Sequence, residues 1–399
     1  AAGAGSAAVV ASTARVPSLL LHAAASMPKA DENRLVVIQL TGGNDGLNTV
    51  VPYADDIYHQ NRFATRIAAD RVHRLNDYVG FHPSLEGLAD LFEEGQLAVV
   101  QGVGYPNPNR SHFESMDIWH TAGASSDLRQ TGWLGRFLDA TQQHGTLHDA
   151  PAVHFGSRVQ PLALAGLNVH SPSIDSLEGF QLRGVDDSRL AETIQRAVDA
   201  QRRQTDELVD FLQAAAQTAL KASRSVQRAI AKYETRVDYP STPLARKLRG
   251  VAQLIDAGMS TRIYYVTLDG FDTHSEQAEA HAALLREFSE AATAFLKDLA
   301  SHGHADRVAV LAFSEFGRRV RENASRGTDH GAAAPVFLLG GKVQGQLAGE
   351  YPRLDDLVDG DLAYSVDFRQ VYSTLLEDWL AADSQGLLGK KYARLPLFS

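Results

Sequence analysis

The chain has 399 residues, of which 44% are hydrophobic and 22% charged, with a formal net charge of −10 and no cysteine. This globular composition excludes a disordered or fibrous chain, and the acidic balance argues against a broad nucleic-acid surface, which needs clustered Lys and Arg. The lack of cysteine removes disulfides, zinc–thiolate sites and thiol nucleophiles, and no apolar run reaches the ~20 residues of a membrane-spanning helix.

Residues 1–30 are rich in Ala, Ser and Gly, have no Asp or Glu, and carry the short apolar patch Leu19-Leu20-Leu21. Such a segment reads as the tail of an export signal or as a flexible arm. From Arg34 the pattern changes. Arg34–Thr41, Leu97–Gly104, Ile263–Leu268, Val308–Phe313 and Val336–Leu339 are continuous apolar runs, the pattern of strands buried on both faces. Leu85–Glu94, Gln277–Ala300 and Asp367–Ala381 have helical apolar spacing. Strands alternating with helices predict an α/β fold, an open, mostly parallel sheet sandwiched by helices. Residues 188–236 break this rhythm: they contain no Gly or Pro and are rich in Ala, Gln and Arg. They predict a helical insertion in a single domain spanning 31–399.

In an open α/β sheet, ligands bind outside the carboxyl ends of the strands. Polar clusters stand there in this sequence: Gly42-Gly43-Asn44-Asp45 after the first strand, Arg110-Ser111-His112 after the second, Asp272-Thr273-His274 after the third and Ser314-Glu315-Phe316-Gly317-Arg318 after the fourth. Thr328-Asp329-His330-Gly331 precedes the last core strand. Asp272 and His274 can point at one metal, and Glu315 suits a hard cation or a base. Arg110 and Arg318 can hold a phosphate- or sulfate-like group. Oxygen and imidazole ligands without thiolates suit zinc or manganese, with calcium or magnesium as alternatives. Each segment also has a structural reading: an Asx turn at Asn44 and Asp45, an N-cap at Ser111, a helix cap at Asp272, an ion pair of Glu315 with Arg318 or Arg319, and a turn histidine at His330. His82, His120 and His154 read as packing or capping residues, with His154 standing at another strand end.

The blocks Gln39–Asn48, Arg110–Phe113, Gly270–His274, Ser314–Arg318 and Thr328–Gly331 resemble the bacterial DUF1501 family, which is placed in the alkaline phosphatase and sulfatase superfamily. The resemblance implies a sheet with a two-metal site, a hydroxyl nucleophile at a helix N-terminus and export by the twin-arginine route to the periplasm or beyond. It implies Ser111 as nucleophile, with Asn44, Asp45, Asp272, His274, Glu315 and His330 as metal ligands. His112 is the candidate general acid or base, and Arg110 and Arg318 the candidate oxyanion clamps.

Three positions depart from the superfamily pattern. The second ligand after Asp272 normally stands four residues on, where this chain has Glu276 and places His274 two residues on instead. Phe316 follows Glu315 where a histidine is usual, and Ser111 lacks the modifiable sulfatase motif. The expected function is an exported metal-dependent hydrolase or transferase acting on a small-molecule or glycan phosphate or sulfate ester. The alternatives are a scaffold that binds an envelope polysaccharide and a platform for a protein partner.

Overall fold

The computed structural model describes residues 32–123, 130–142, 150–156, 159–177 and 233–399. The expected export segment at 1–30 lies outside the described residues, as does the expected helical insertion except for 233–236, which have no regular secondary structure.

The central sheet is built from nine strands: β1 (Arg34–Thr41), β2 (Leu97–Gly104), β3 (Ala152–Phe155), β4 (Ser173–Ile174), β5 (Ile263–Asp269), β6 (Val308–Phe313), β7 (Ala334–Gly340), β8 (Gln346–Ala348) and β9 (Val366–Asp367). Their order is β8-β2-β7-β6-β1-β5-β3-β4, with β9 also on β2. β1 pairs in parallel with β5 and β6, while β7 runs antiparallel to both β2 and β6. The sheet is therefore mostly parallel, and the strand expected at Val336–Leu339 is the one reversed member. Strand segments on both sides of residues 178–232 join the same sheet.

Alternate side chains of β1 feed two cores. Val36, Ile38 and Leu40 pack with α1 (Glu86–Glu93), α4 (Pro243–Asp256) and α5 (Gln277–Ser301). Leu35 and Val37 belong to the opposite core, with α2 (His112–Thr121), α3 (Trp133–Gln142) and α6 (Phe368–Thr374). Period-two alternation on a strand covered on both faces explains why its whole length is apolar. Local signals set the helix starts. Thr242 caps α4, with Pro243 at its first position, and Asp367 and Gln370 form a capping box on α6.

Two attachments hold α2, and both bear on the site. Trp119 stacks between Phe313 at the end of β6 (4.9 Å) and Phe368 (4.5 Å). Near the N-terminal end, Ser115 donates from Oγ to the Glu315 carbonyl at 2.6 Å. Ser115 is three residues after His112, on the same helix face, so His112 is delivered to the carboxyl edge of the sheet.

Candidate metal centre at the carboxyl edge of the sheet

Four side chains converge at this edge. Asp272 lies on the loop after β5. His274 lies two residues further on. His112 opens α2. His330 ends a hairpin strand, Thr328–His330, that pairs antiparallel with Arg318–Glu322 in the register Arg318↔His330. One ligand atom from each of His112, Asp272 and His330 falls within 4.8 Å of the others.

The hydrogen-bond partners define which nitrogen of each ring faces inward. A carbonyl or carboxylate oxygen accepts, so the ring nitrogen opposite it carries the proton. His330 Nδ1 stands 2.8 Å from the Arg110 carbonyl, and His112 Nδ1 stands 2.7 Å from Glu315 Oε1. His274 turns Nδ1 toward Asp329, 3.6 Å away. The Nε2 atoms of His112 and His330 then present lone pairs. His330 Nε2 lies 3.0 Å and His274 Nε2 2.9 Å from Asp272 Oδ1, and the two nitrogens are 3.0 Å apart. His112 Nε2 is buried without a hydrogen-bond partner, 3.4 Å from Asp272 Oδ2. Acceptors facing acceptors at these distances repel unless a proton or a cation lies between them. Rings anchored through their distal nitrogens on a carboxylate or carbonyl are the usual support of metal-binding imidazoles. The residues present thus fit a divalent cation.

The electrostatics agree. Partial burial would raise the Asp272 carboxyl, but its close contacts with His330 and Arg318 and the charge of Arg318 hold it well below the usual carboxylate range. The hydrogen bond to Glu315 raises His112 against the opposing effect of burial.

The glycine pair after β1 permits the close approach. Gly42 and Gly43 have φ of +119° and +77°, and a Cβ on either would collide with the Asp272 nitrogen or with Phe316 Cε2, respectively. Phe316, the departure from the superfamily pattern, is a wall rather than a ligand. Its ring centroid lies 4.9 Å from that of His112 and 4.6 Å from that of His330.

Other expected site residues are placed differently. Asp45 is fully buried, and both of its oxygens are taken by Arg62, at 2.5 and 3.1 Å, with Gln277 donating to Oδ2. Burial alone would raise its pKa, and the Arg62 guanidinium overrides burial and lowers it. Asn44 Oδ1 faces Thr49 Oγ1 and His281 Nε2. The side-chain oxygens of Asn44 and Asp45, expected as ligands, thus face these partners and not the Asp272 cluster. Glu315, also expected as a ligand, accepts from the Gly42 N–H at 2.9 Å and from His112; it orients the His112 ring.

The expected oxyanion clamps are likewise engaged. Arg110 pairs with Asp361 through Nε and NH2, at 2.8 and 2.5 Å. Arg318 is buried and spends its donors on backbone carbonyls and Asp272. Ser111 is the N-cap residue of α2, exposed, and its hydroxyl makes no capping bond. It stands between Arg110, whose carbonyl holds His330, and His112. The partners Arg62 and Asp361 had no signal in the sequence: Arg62 stands 17 residues after Asp45, outside its motif, and Asp361 stands 251 residues after Arg110. Beside Arg110 opens a cleft of about 930 Å³ lined by Asn107, Asn109, Asp361 and Tyr364 among others.

Fold and cluster together define an open α/β protein with a histidine- and carboxylate-lined centre at the carboxyl edge of its sheet. The chain belongs to the family described as "Protein of unknown function (DUF1501)", whose sequence model matches residues 32–390. No curated protein sequence matches it. It is similar in structure to the zinc complex of the C-terminal periplasmic domain of EcEptC from Escherichia coli, with 9% identity, 79% of this chain and 74% of that chain covered, and a TM-score of 0.36. It is also similar to the PsFucS1 sulfatase from Pseudoalteromonas sp. (10% identity, 94% and 72% covered, TM-score 0.37). A third similar structure is BT1596, a 2-O GAG sulfatase (11% identity, 90% and 75% covered, TM-score 0.38). Among the described residues, no helix is long and apolar enough to cross a membrane.

Proposed function

We propose that this protein is a metal-dependent hydrolase or transferase acting on a phosphate or sulfate ester, with a divalent cation held by His112, Asp272 and His330 and with His274 beside them. One observation carries the reading: the Nε2 atoms of His274, His330 and His112 converge on the single Asp272 carboxylate, at 2.9, 3.0 and 3.4 Å. Two histidines and a carboxylate suit zinc better than calcium or magnesium, which favour all-oxygen sites. When bound, such a cation supplies Lewis-acid polarisation of an ester oxygen and lowers the cost of generating an alkoxide nucleophile.

The chain's own residues do the rest. Glu315 and the Arg110 carbonyl hold His112 and His330 in the tautomers that leave Nε2 bare. Arg318 fixes Asp272 Oδ1 at 2.9 Å. Ser111 is the candidate nucleophile: its exposed hydroxyl attacks phosphorus or sulfur, and the alcohol leaves with the proton that Ser111 loses. Water then cleaves the ester formed on Ser111. His112 is held through Nδ1 by Glu315 and offers its unpartnered Nε2 to the cation, which assigns it to holding the cation rather than to proton transfer. The cleft beside Arg110 would take the non-reacting part of a small-molecule or glycan ester. The acid-free composition of residues 1–30 supports export, and the family resemblance is what suggests the twin-arginine route; fractionation of expressing cells tests both.

A second reading, a scaffold that binds a glycan or a protein partner without chemistry, is favoured by one observation. Both arginines expected to grip an anion are turned onto internal carboxylates, Asp361 and Asp272. The deciding experiment strips the protein with a chelator, reconstitutes it with zinc, and assays phosphate monoesters, phosphate diesters and sulfate esters. Turnover that requires zinc and disappears in Asp272→Ala supports the enzyme. Zinc bound without turnover of any ester class supports the scaffold.

A further inference from the structure

We propose that the centre takes one metal ion, and that the guanidinium of Arg318 is its second, built-in positive charge. The inference rests on the cluster being a cation site, and adds the stoichiometry and a role for Arg318.

The side chain of Arg318 has no exposed surface. Its nitrogens all point at oxygens. Nε donates to the Gly43 carbonyl at 2.7 Å and NH1 to the Thr328 carbonyl at 2.8 Å. NH2 faces the Gly42 carbonyl, the Phe271 carbonyl at 2.9 Å and Asp272 Oδ1 at 2.9 Å. Carbonyls from two strand-end loops and a hairpin, completed by a carboxylate, form the oxygen set that a hard divalent cation would choose. Here a planar guanidinium fills it, and a guanidinium does not deprotonate in a protein to make room.

The carboxylates that could have built a second metal site elsewhere in the centre are also spent. Asp45 is neutralised by Arg62, itself fully buried. Glu315 Oε1 accepts from Gly42 and His112, and its Oε2 lies 3.1 Å from Ser314 Oγ. Phe316 fills the position after Glu315 with an apolar ring that is 2% exposed. Among the described residues, a second ion beside Asp45, Glu315 or Arg318 would meet a fixed positive charge and oxygens already engaged. Asp272 is the shared element: one oxygen is held by the guanidinium, and the carboxylate as a whole faces the three imidazoles.

The test is a metal titration of the chelator-stripped full chain. Cobalt(II) is followed by visible absorption, and zinc content by plasma mass spectrometry after desalting. The expected result is saturation at one equivalent per chain. Two equivalents of comparable affinity would overturn the single-ion proposal while leaving metal dependence intact. No bound metal would overturn both it and the functional reading.

His330→Ala locates the ion. Its loss of a direct ligand should weaken cobalt binding by about 100-fold or more, at the upper end of what even an outer-shell partner costs. Unchanged affinity would place the ion elsewhere and overturn the proposal. Arg318→Ala empties the oxygen pocket. It should gain a weak second equivalent of manganese(II), read by electron paramagnetic resonance, which added guanidinium displaces. A titration still ending at one equivalent would remove Arg318 as the second charge. If that variant does not fold, the wild-type stoichiometry decides.

Discussion

Glu315 Oε1 accepts the Nδ1 proton of His112 at 2.7 Å, and that bond decides which nitrogen of His112 faces Asp272. Ser115 fastens the same helix to the Glu315 carbonyl at 2.6 Å, so ring orientation and helix position depend on one residue. Glu315→Gln keeps the size and the backbone contact but replaces a charged acceptor with an amide that can present either oxygen or nitrogen. Zinc affinity should fall by about 10- to 100-fold, the usual cost of an outer-shell partner. Competition against a chelating dye measures it, and an unchanged affinity would remove Glu315 from the support of the centre.

Asp45 and Arg62 are a fully buried pair. Asp45→Asn leaves a buried guanidinium uncompensated and should cost about 3–5 kcal/mol, whereas combining Asp45→Asn with Arg62→Met should recover much of that loss. Urea unfolding of the two variants checks the order. Because the folded pKa of Asp45 is lowered, its stabilisation is present above the unfolded carboxylate value, near 4, and is lost as pH falls through the lower folded value. A single variant that costs nothing would mean the pair is not buried in solution.

Four histidines outside the centre set a second pH dependence, one of them His281, which burial lowers to about 4. Burial pushes His120 down to about 3, and burial with the charge of His281 does the same to His82. Burial with the charge of Lys247 lowers His154 to about 4. The unfolded chain takes up these protons near pH 6.5 and the folded protein does not. Stability should therefore be complete above about pH 6.5 and fall toward pH 4, each histidine contributing up to about 1.4 kcal/mol per pH unit. Unfolding midpoints at pH 7, 6 and 5 test this, with His154→Gln expected to flatten the slope.

Ser111 makes no capping bond with its side chain, so Ser111→Ala should leave stability within about 0.5 kcal/mol, as at other surface positions. The same variant should abolish ester turnover and leave metal content unchanged. Calorimetry, metal analysis and the ester assay on one preparation separate these effects. Retained turnover would transfer the nucleophile's role to water.

The strands were legible because burial on both faces leaves an unbroken apolar run. Arg34–Thr41, Leu97–Gly104 and Val308–Phe313 stand where the apolar pattern puts them. Their ends also marked the centre, since loops at the carboxyl edge of a parallel sheet converge. That is why Asp272 and His274 could be named from the sequence as neighbours, whereas His330, which precedes a strand, was named from the family resemblance. The direction of β7 was not legible, because an apolar run does not reveal which way its strand lies.

The assignment of each polar residue was decided only by the tertiary structure. Asp45 and Asp272 both follow a strand at a Gly-bearing turn, and nothing in their local sequence separates them. They differ because the chain brings Arg62 onto the first and three imidazoles onto the second. In the same way, the sequence alone places Arg318, Glu315 and His112 at the edge of the sheet, while long-range contacts select which becomes a buried charge, which an anchor and which faces Asp272. Apolar periodicity is a local property repeated along the chain, so a sequence displays it. Whether a carboxylate meets a guanidinium or a lone pair is a matter of distances between residues far apart in the chain, and only folding sets those.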